Sequence, residues 1–420
     1  MHVRRLRHLL PITRLRWPAT FAALRYRNYR LWFMGQTFSV MGTWAQSVAQ
    51  GWIVYQLTGS ELVLGTIQFF ASLPTLFLMV PAGALADRFP KRKVVTIAQV
   101  AMMLQAFILA LLAATHVLRV WHVAILAACN GVASSFDAPA RHAMTVEMVE
   151  DRRDMANAVA LNSTIFNTAR VIGPAVGGII LARLGAAWCF SLNGVSFLAV
   201  ILALLSMRFP PEKARVVKES IVAQIKVGVG YVWRDVRIRT LMFLVGIGQL
   251  FGFFYSVLMP AYAADVLRVG AAGLGNLNAA IGIGALSGSL LVASLGGSRQ
   301  KVRLMTIGAF LFPVANLLFA ASQSLALSML GLALSGVGFV TQNVTINTLI
   351  QSAVPDELRG RVMSVYMLLF FGSTPFASLM AGALGQAFGV RAAIAIGSAI
   401  TLLSTLYIFV RTPDLRRARV

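Results

Sequence analysis

Acidic residues are scarce in this chain: of 420 residues only 14 are Asp or Glu, against 37 Lys and Arg, and charged residues of both signs make up 12%. A soluble domain devotes about a quarter of its residues to charge, so an ordinary soluble surface is excluded. Cysteine is nearly absent too, and Cys129 and Cys189 both sit inside apolar runs. They form neither a disulfide framework nor a metal site. No Ser/His/Asp constellation, metal-ligand cluster or Walker phosphate loop is discernible, which argues against an enzyme, a bound cofactor or metal, and direct drive by ATP. No short apolar segment with a small-residue cleavage site precedes residue 31, so the first apolar run reads as an uncleaved anchor.

What the chain does have is hydrophobic length. It is 58% hydrophobic, and its apolar residues fall into blocks of about 20, the number a helix needs to cross a bilayer. Spans are predicted near 29–57, 61–83, 94–115, 121–142, 156–184, 187–207, 239–264, 271–295, 303–321, 324–348, 360–388 and 391–411. Twelve spans put both termini on one side. On that side lie 32 of the 37 basic residues, with Arg119, Arg183, Arg268 and Arg391 opposite and Arg170 within a span. Basic loops stay in the cytoplasm, so both termini are expected there. The net charge of +23 thus reads as topology signal plus attraction to anionic lipid, and its scatter over short loops argues against nucleic acid.

Most loops are very short, whereas 208–238 is long, charged and carries Pro210-Pro211. It divides a six-span bundle at 29–207 from another at 239–411, with tails at 1–28 and 412–420. Internal echoes support the division: "RKVVTIAQV" (92–100) against "VRLMTIGAF" (302–310), and "ARLGAAWCFSLNGVSFL" (182–198) against "QAFGVRAAIAIGSAITL" (386–402). Parallel halves of this kind enclose a site between them near the bilayer midplane. Within the linker, "IVAQIKVGVGYVWRDVRIR" has apolar spacing that fits a helix on the cytoplasmic surface as well as an ordinary connector.

The loop "GALADRFPKRK" (83–93) resembles the cytoplasmic signature of the major facilitator superfamily, with Gly83, Leu85, Asp87, Arg88, Lys91 and Arg92 matching and Pro90 in place of the usual second Gly. The resemblance implies an all-α membrane protein of twelve transmembrane helices in two six-helix bundles. It also implies a conformational latch of Gly83, Asp87, Arg88, Lys91 and Arg92, in which Gly83 permits close helix approach and Asp87 with the basic residues ties the bundles until the cavity reopens on the other side. The same basic residues also serve simply to fix topology. In the second half, "ASLGGSRQKVR" has Gly297 where the acid stands, so the latch is expected to be one-sided.

A second signature, Gly173-Pro174-x-x-Gly177-Gly178, resembles the fifth-span motif of the antiporter branch, the drug and metabolite exporters, with Ala160 and Ala169 replacing its upstream glycines. Pro174 cannot donate to the carbonyl of Arg170 and weakens the helix there, while Gly173 and Gly177, four apart, offer a face for another helix. Plain tight packing also accounts for Gly177 and Gly178. "FDAPARHAM" (136–144), "MANAVALNS" (155–163) and "VPDELRGRVMSVYML" (354–368) resemble the subgroup of enterobactin exporters and macrolide efflux pumps. That similarity implies export of a small amphipathic molecule, a drug-like compound or siderophore, from a bacterium across its inner membrane, by alternating access in exchange for protons and as a monomer. An uptake symporter of the same fold and a non-transporting receptor are the alternatives.

Proton coupling has no obvious seat. "AACNGVASS" (127–135) lacks the Arg and the Gln of the fourth-span signature of many drug exporters, and the first span contains no acid. Asp137 alone lies well inside a span, sharing a helical face with Asn130, Ser134 and Arg141; that stripe fits both a proton carrier and a plain Asp137–Arg141 pair. Further cavity candidates are Gln36, Trp44, Gln50, Phe254, Tyr255, and Asn343 with Asn347 on one face of the tenth span. Arg170 falls about 22 Å up its helix, near mid-membrane, with no acid at its level. One reading has its guanidinium bind Asn130 and carbonyls freed near Pro174. The other has Ser163, Asn167 and Arg170 line the cavity, with Arg170 engaging an acidic or phenolate group of the substrate.

Overall fold

The computed structural model describes residues 19–209, 221–295 and 298–412. Among these the chain is built of helices without a strand. After a short 3-10 helix, Ala19–Arg25, come α1 (Arg27–Thr58), α2 (Glu61–Arg88), α3 (Lys91–Ala114), α4 (Val120–Met148), α5 (Met155–Leu184) and α6 (Ala186–Ser206). They are followed by α7 (Ile221–Arg234), α8 (Val236–Leu250), α9 (Phe254–Ala261), α10 (Gly270–Leu295), α11 (Ser298–Ala321), α12 (Leu325–Ala353), α13 (Asp356–Gly372), α14 (Thr374–Phe388) and α15 (Val390–Arg411). α8 with α9, and α13 with α14, each run as one broken rod. The chain is therefore a multi-pass membrane protein.

Eleven stretches have both the length and the hydropathy of a membrane span. α1 has the length, 32 residues, but is too polar to join them. Gln36, Ser39, Thr43, Gln46 and Gln50 recur along it at intervals of three and four, one stripe of a helix, and Gln36, Ser39 and Gln46 are buried in protein.

The two breaks interrupt apolar runs that read as continuous. Pro375 has no N–H and would clash with the carbonyl four residues back, so α13 ends at Gly372, and Ser373 Oγ donates to the Leu369 carbonyl at 2.6 Å. Between α8 and α9 the Gly252 carbonyl accepts from Asn316 Nδ2 at 3.2 Å, replacing a bond the helix lost. A π-helical turn, Tyr262–Val266, closes the rod.

In the first half α1 packs on α5 and α6, α3 on α4 and α6, and α2 on α4; in the second, α12 packs on α10 and α11, and α15 on α11. The echo of the two halves extends to backbone conformation. Gly185 joins α5 to α6 with φ +87° and Gly389 joins α14 to α15 with φ +84°, the left-handed side of φ space that glycine tolerates. The halves meet along α5–α10 and α2–α14. Both seams lie toward the side away from the termini, called distal below.

Candidate functional site

A cavity of about 510 Å³ lies between the two halves, within the range of small-molecule sites. α1 gives it Thr43, Trp44, Gln46, Ser47 and Gln50; α4 gives Asn130 and Ser134; α5 gives Arg170; α6 gives Asn193. The second half supplies Phe253, Tyr255, Met259, Leu274, Asn278 and Ile281. Gln46 and Asn193 are held by a chain of amides, with Asn193 Nδ2 donating to Gln46 Oε1 at 2.8 Å and Gln46 Nε2 to Gln105 Oε1 at 3.1 Å. This chain crosslinks α6, α1 and α3, so the polar wall is fixed to one rigid bundle.

Arg170 is the one charged side chain in that wall among the described residues. Its guanidinium lies over the Trp44 ring at 5.9 Å, the outer limit of a cation–π contact, which contributes about 0.5–2 kcal/mol. Placing an arginine mid-membrane costs about 2.5 kcal/mol or more. The ring therefore offsets only part of that cost, and the rest falls to cavity water or an anion. Asn130 lines the same cavity, but neither it nor a carbonyl accepts a hydrogen bond from Arg170 among the described residues. The Arg170 carbonyl, deprived of a donor by Pro174, faces α10: a Cβ on Gly282 would lie 2.7 Å from its oxygen.

The fifth-span motif packs on two helices at once, with Gly173 and Gly177 offering a face to another helix as their spacing implied. Gly173 and Gly177 turn toward α1 of their own bundle, where a Cβ on Gly177 would lie 2.6 Å from the Ala45 Cα. Across to the second half face Pro174 and Gly178; a Cβ on Gly178 would lie 2.8 Å from the Gly275 Cα. Each residue advances 100° round a helix, so one residue's difference changes which helix is met. On the other flank a Cβ on Gly382 would lie 3.0 Å from the Gly65 Cα. Polar contacts join the same seam: Ser60 Oγ to Gln386 Oε1 at 2.7 Å, and the Tyr55 hydroxyl to Asp265 across the seam, with Glu61 Oε1 3.5 Å away. The distal side is closed.

At the terminal side Gly83 meets nothing: no described atom lies within 4 Å of a Cβ built there. In this conformation it serves no close approach. Lys91 pairs with Glu147 on α4 at 2.5 Å, and Arg92 donates to the Met207 and Leu205 carbonyls at 3.2 and 3.0 Å. Both hold elements of the first half together. Asp87, Arg88 and Gly297 lie outside the residues whose side chains are described.

The other candidates divide. Gln50, Asn130, Trp44 and Tyr255 line the cavity with Arg170. Asp137 does not: it is 5% exposed, pairs with Arg141 at 3.2 Å and accepts from Gln99 Nε2 at 2.9 Å. Asn167 bonds the Ser163 carbonyl at 2.9 Å, Asn343 that of Phe339 at 2.9 Å, and Asn347 accepts from Gln351 at 2.5 Å. These four residues of α5 and α12 stand outside the cavity wall, as do Gln36 and Phe254. Sequence reasoning missed Gln46, Gln68, Asn193 and Asn278, of which Gln46 was legible in the polar stripe of α1.

Residues 18–418 match the model of a family described as transmembrane secretion effector, a branch of the major facilitators. The chain is a major facilitator transporter. It is 30% identical over 383 residues to the multidrug efflux pump Tap of Mycolicibacterium fortuitum, covering 88% of this chain and 91% of that one. It is 25% identical over 384 residues to the staphyloferrin A transporter of Staphylococcus aureus (90% and 95% covered) and 27% over 398 residues to the enterobactin exporter of Escherichia coli (93% and 93%). The same fold appears, at 13% identity, in a POT family transporter in complex with 5-aminolevulinic acid, TM-score 0.73, with 93% of this chain and 96% of that one covered.

Proposed function

We propose that this transporter exports a small amphipathic molecule, drug-like or siderophore, across the bacterial inner membrane by alternating access, in exchange for protons flowing inward, and acts as a monomer. The observation that carries the reading is a central cavity closed distally by two glycine seams while Gly83 on the opposite side meets none of the described residues. That is the form of a transporter open to the side of its termini, which the 32-to-4 distribution of basic residues assigns to the cytoplasm. The relatives named as efflux pump and siderophore exporter support the outward direction. Reopening on the other side requires the α5–α10 and α2–α14 seams to part and the terminal ends to close, where Asp87 and Arg88 act as the latch while Lys91 and Arg92 brace the first half. The proposed units are a tail, 1–28, the bundle 29–207, the linker 208–238, the bundle 239–411 and a tail, 412–420.

The test has two stages. Growth of an expressing strain across toxic compounds and siderophores, against a vector control, identifies a substrate. In everted membrane vesicles an acid-inside gradient should then drive that substrate inward. Movement out of the vesicles together with the protons identifies an uptake symporter, and no movement in either direction removes the transport reading.

A further inference from the structure

The walls of the cavity differ in chemistry. The first half contributes most of the amides and hydroxyls, with Gln46, Gln50, Gln68, Asn130 and Asn193 beside apolar side chains such as Leu64 and Ile67, and Arg170, the single charge among the described lining residues. The second half contributes mainly apolar surface from Phe253, Tyr255, Met259, Leu274 and Ile281, and Phe253 packs at a tilt on Phe339 at 5.6 Å. No carboxylate stands among the described lining residues, and none of the described acids pairs with Arg170. The guanidinium is thus placed at a boundary: Trp44 lies beneath it, and Trp44 meets Phe166 edge to face at 6.0 Å.

From this arrangement we infer that the cavity takes monoanions with an aromatic body, such as aryl carboxylates and phenolates, and rejects cations of the same shape. This deepens the export reading, on which it rests for the direction of movement alone. An anion supplies the hydrogen-bond acceptor that Arg170 lacks among the described residues, and the planar guanidinium offers a carboxylate two parallel hydrogen bonds. The same charge repels an ammonium, which finds no carboxylate in the wall to neutralise it. With its acid group at Arg170, an aromatic body lies against Phe253 and Tyr255, offset or edge-on as aromatic pairs prefer, and its hydrogen-bonding groups face the amides of the first half. A volume of about 510 Å³ admits one such molecule.

The probes are 4-(1-pyrenyl)butanoate, its neutral N-methyl amide and the corresponding pyrenylbutylamine, which share one aromatic body. Saturable binding to the purified protein in nanodiscs, after subtraction of empty nanodiscs, is measured without any gradient. The acid should bind about ten- to a hundredfold more tightly than the amide, the worth of a charge-assisted hydrogen bond in affinity, and the amine more weakly than either. Arg170→Gln should erase the ranking. Gln50→Glu, which adds a carboxylate to the same wall and leaves Arg170 in place, should also erase it, so the outcome does not hinge on the folding of one variant. Equal binding of acid and amine by the wild-type protein overturns the inference, as does an unchanged ranking in both variants. An intact ranking without transport in everted vesicles removes the export reading and leaves this one standing.

Discussion

The Tyr55 hydroxyl, at the distal end of α1, donates a hydrogen bond to Asp265 in the π-helical turn of the other half, and the same oxygen lies 3.5 Å from Glu61. One phenolic proton thus serves a carboxylate across the seam between the two halves. Hydrogen bonds to charged groups contribute about 1.5–3 kcal/mol, so Tyr55→Phe should shift the conformational equilibrium toward the distally open form by roughly ten- to a hundredfold. A cysteine replacing Ile67, buried in the cavity wall, reports the shift once Cys129 and Cys189 are removed. In intact cells its labelling by an external, impermeant maleimide should speed up. Unchanged labelling means the bond is incidental to closure.

The glycine seam makes a steric prediction. A Cβ on Gly178 would stand 2.8 Å from the Gly275 Cα, and backbone cannot yield as a flexible side chain does. Overpacking costs about 1–3 kcal/mol, here charged to the closed form alone, because the seam is apart in the open one. Gly178→Ala, which otherwise favours the helix, should therefore leave insertion and expression intact while cutting flux about five- to a hundredfold. Gly177→Ala presses on Ala45 within its own bundle and should instead lower the melting temperature. Identical phenotypes for the two would mean that the α5–α10 seam is not the moving surface.

Much of this architecture was legible because hydrophobic length and loop charge are local properties. The twelve rods and the repeat needed only runs, counts and echoes, and Gly185 with Gly389 shows the echo reaching backbone angles. Less legible was whatever depends on which neighbour a helical face meets. Asn343 and Asn347 share a face by spacing, yet Asn343 bonds back to its own helix and Asn347 bonds Gln351 and meets Tyr366 of α13 rather than the cavity. Gly173 and Gly177 do pack on another helix as their spacing implies, but that this helix is α1, and that Pro174 and Gly178 face the other half, depends on how distant spans assemble. The amide chain from Asn193 through Gln46 to Gln105 joins three spans that are far apart in sequence, and a single chain carries no signal that pairs them. Arg170 stood out because a lone charge in hydrocarbon needs an explanation wherever it lies.

The loop between α2 and α3 separates two roles that the motif presents as one. Lys91 and Arg92 hold α3 to Glu147 and to the carbonyls that end α6, so their loss should loosen the first half. Asp87 is proposed to act between the halves. Asp87→Asn should cut substrate flux about tenfold or more, equivalent to about 1.4 kcal/mol, at normal expression and with an unchanged melting temperature. Lys91→Met should do the reverse, lowering the melting temperature with flux per folded molecule nearly retained. Wild-type flux in Asp87→Asn sinks the latch.

The geometry of Asp137 sets a structural role against proton transfer. Its two carboxylate oxygens are already engaged, one by Gln99 Nε2 and the other by Arg141 Nε, and it is buried between α3 and α4 away from the cavity wall. A proton carrier must change partners or meet water during the cycle, whereas a brace gains from never doing so. On the brace reading Asp137→Asn keeps the hydrogen bond from Gln99 and loses the charge opposite Arg141, whose side chain is 31% exposed. The loss should be about 1–3 kcal/mol, read as a lower midpoint of thermal unfolding, while transport per folded molecule keeps its dependence on the proton gradient. The second variant, Arg141→Gln with Asp137→Asn, removes both charges and should recover part of that stability, since no unpaired ion remains. If Asp137→Asn instead retains wild-type stability and its substrate flux no longer responds to an imposed gradient, Asp137 carries the proton and the pair with Arg141 is one station of the cycle.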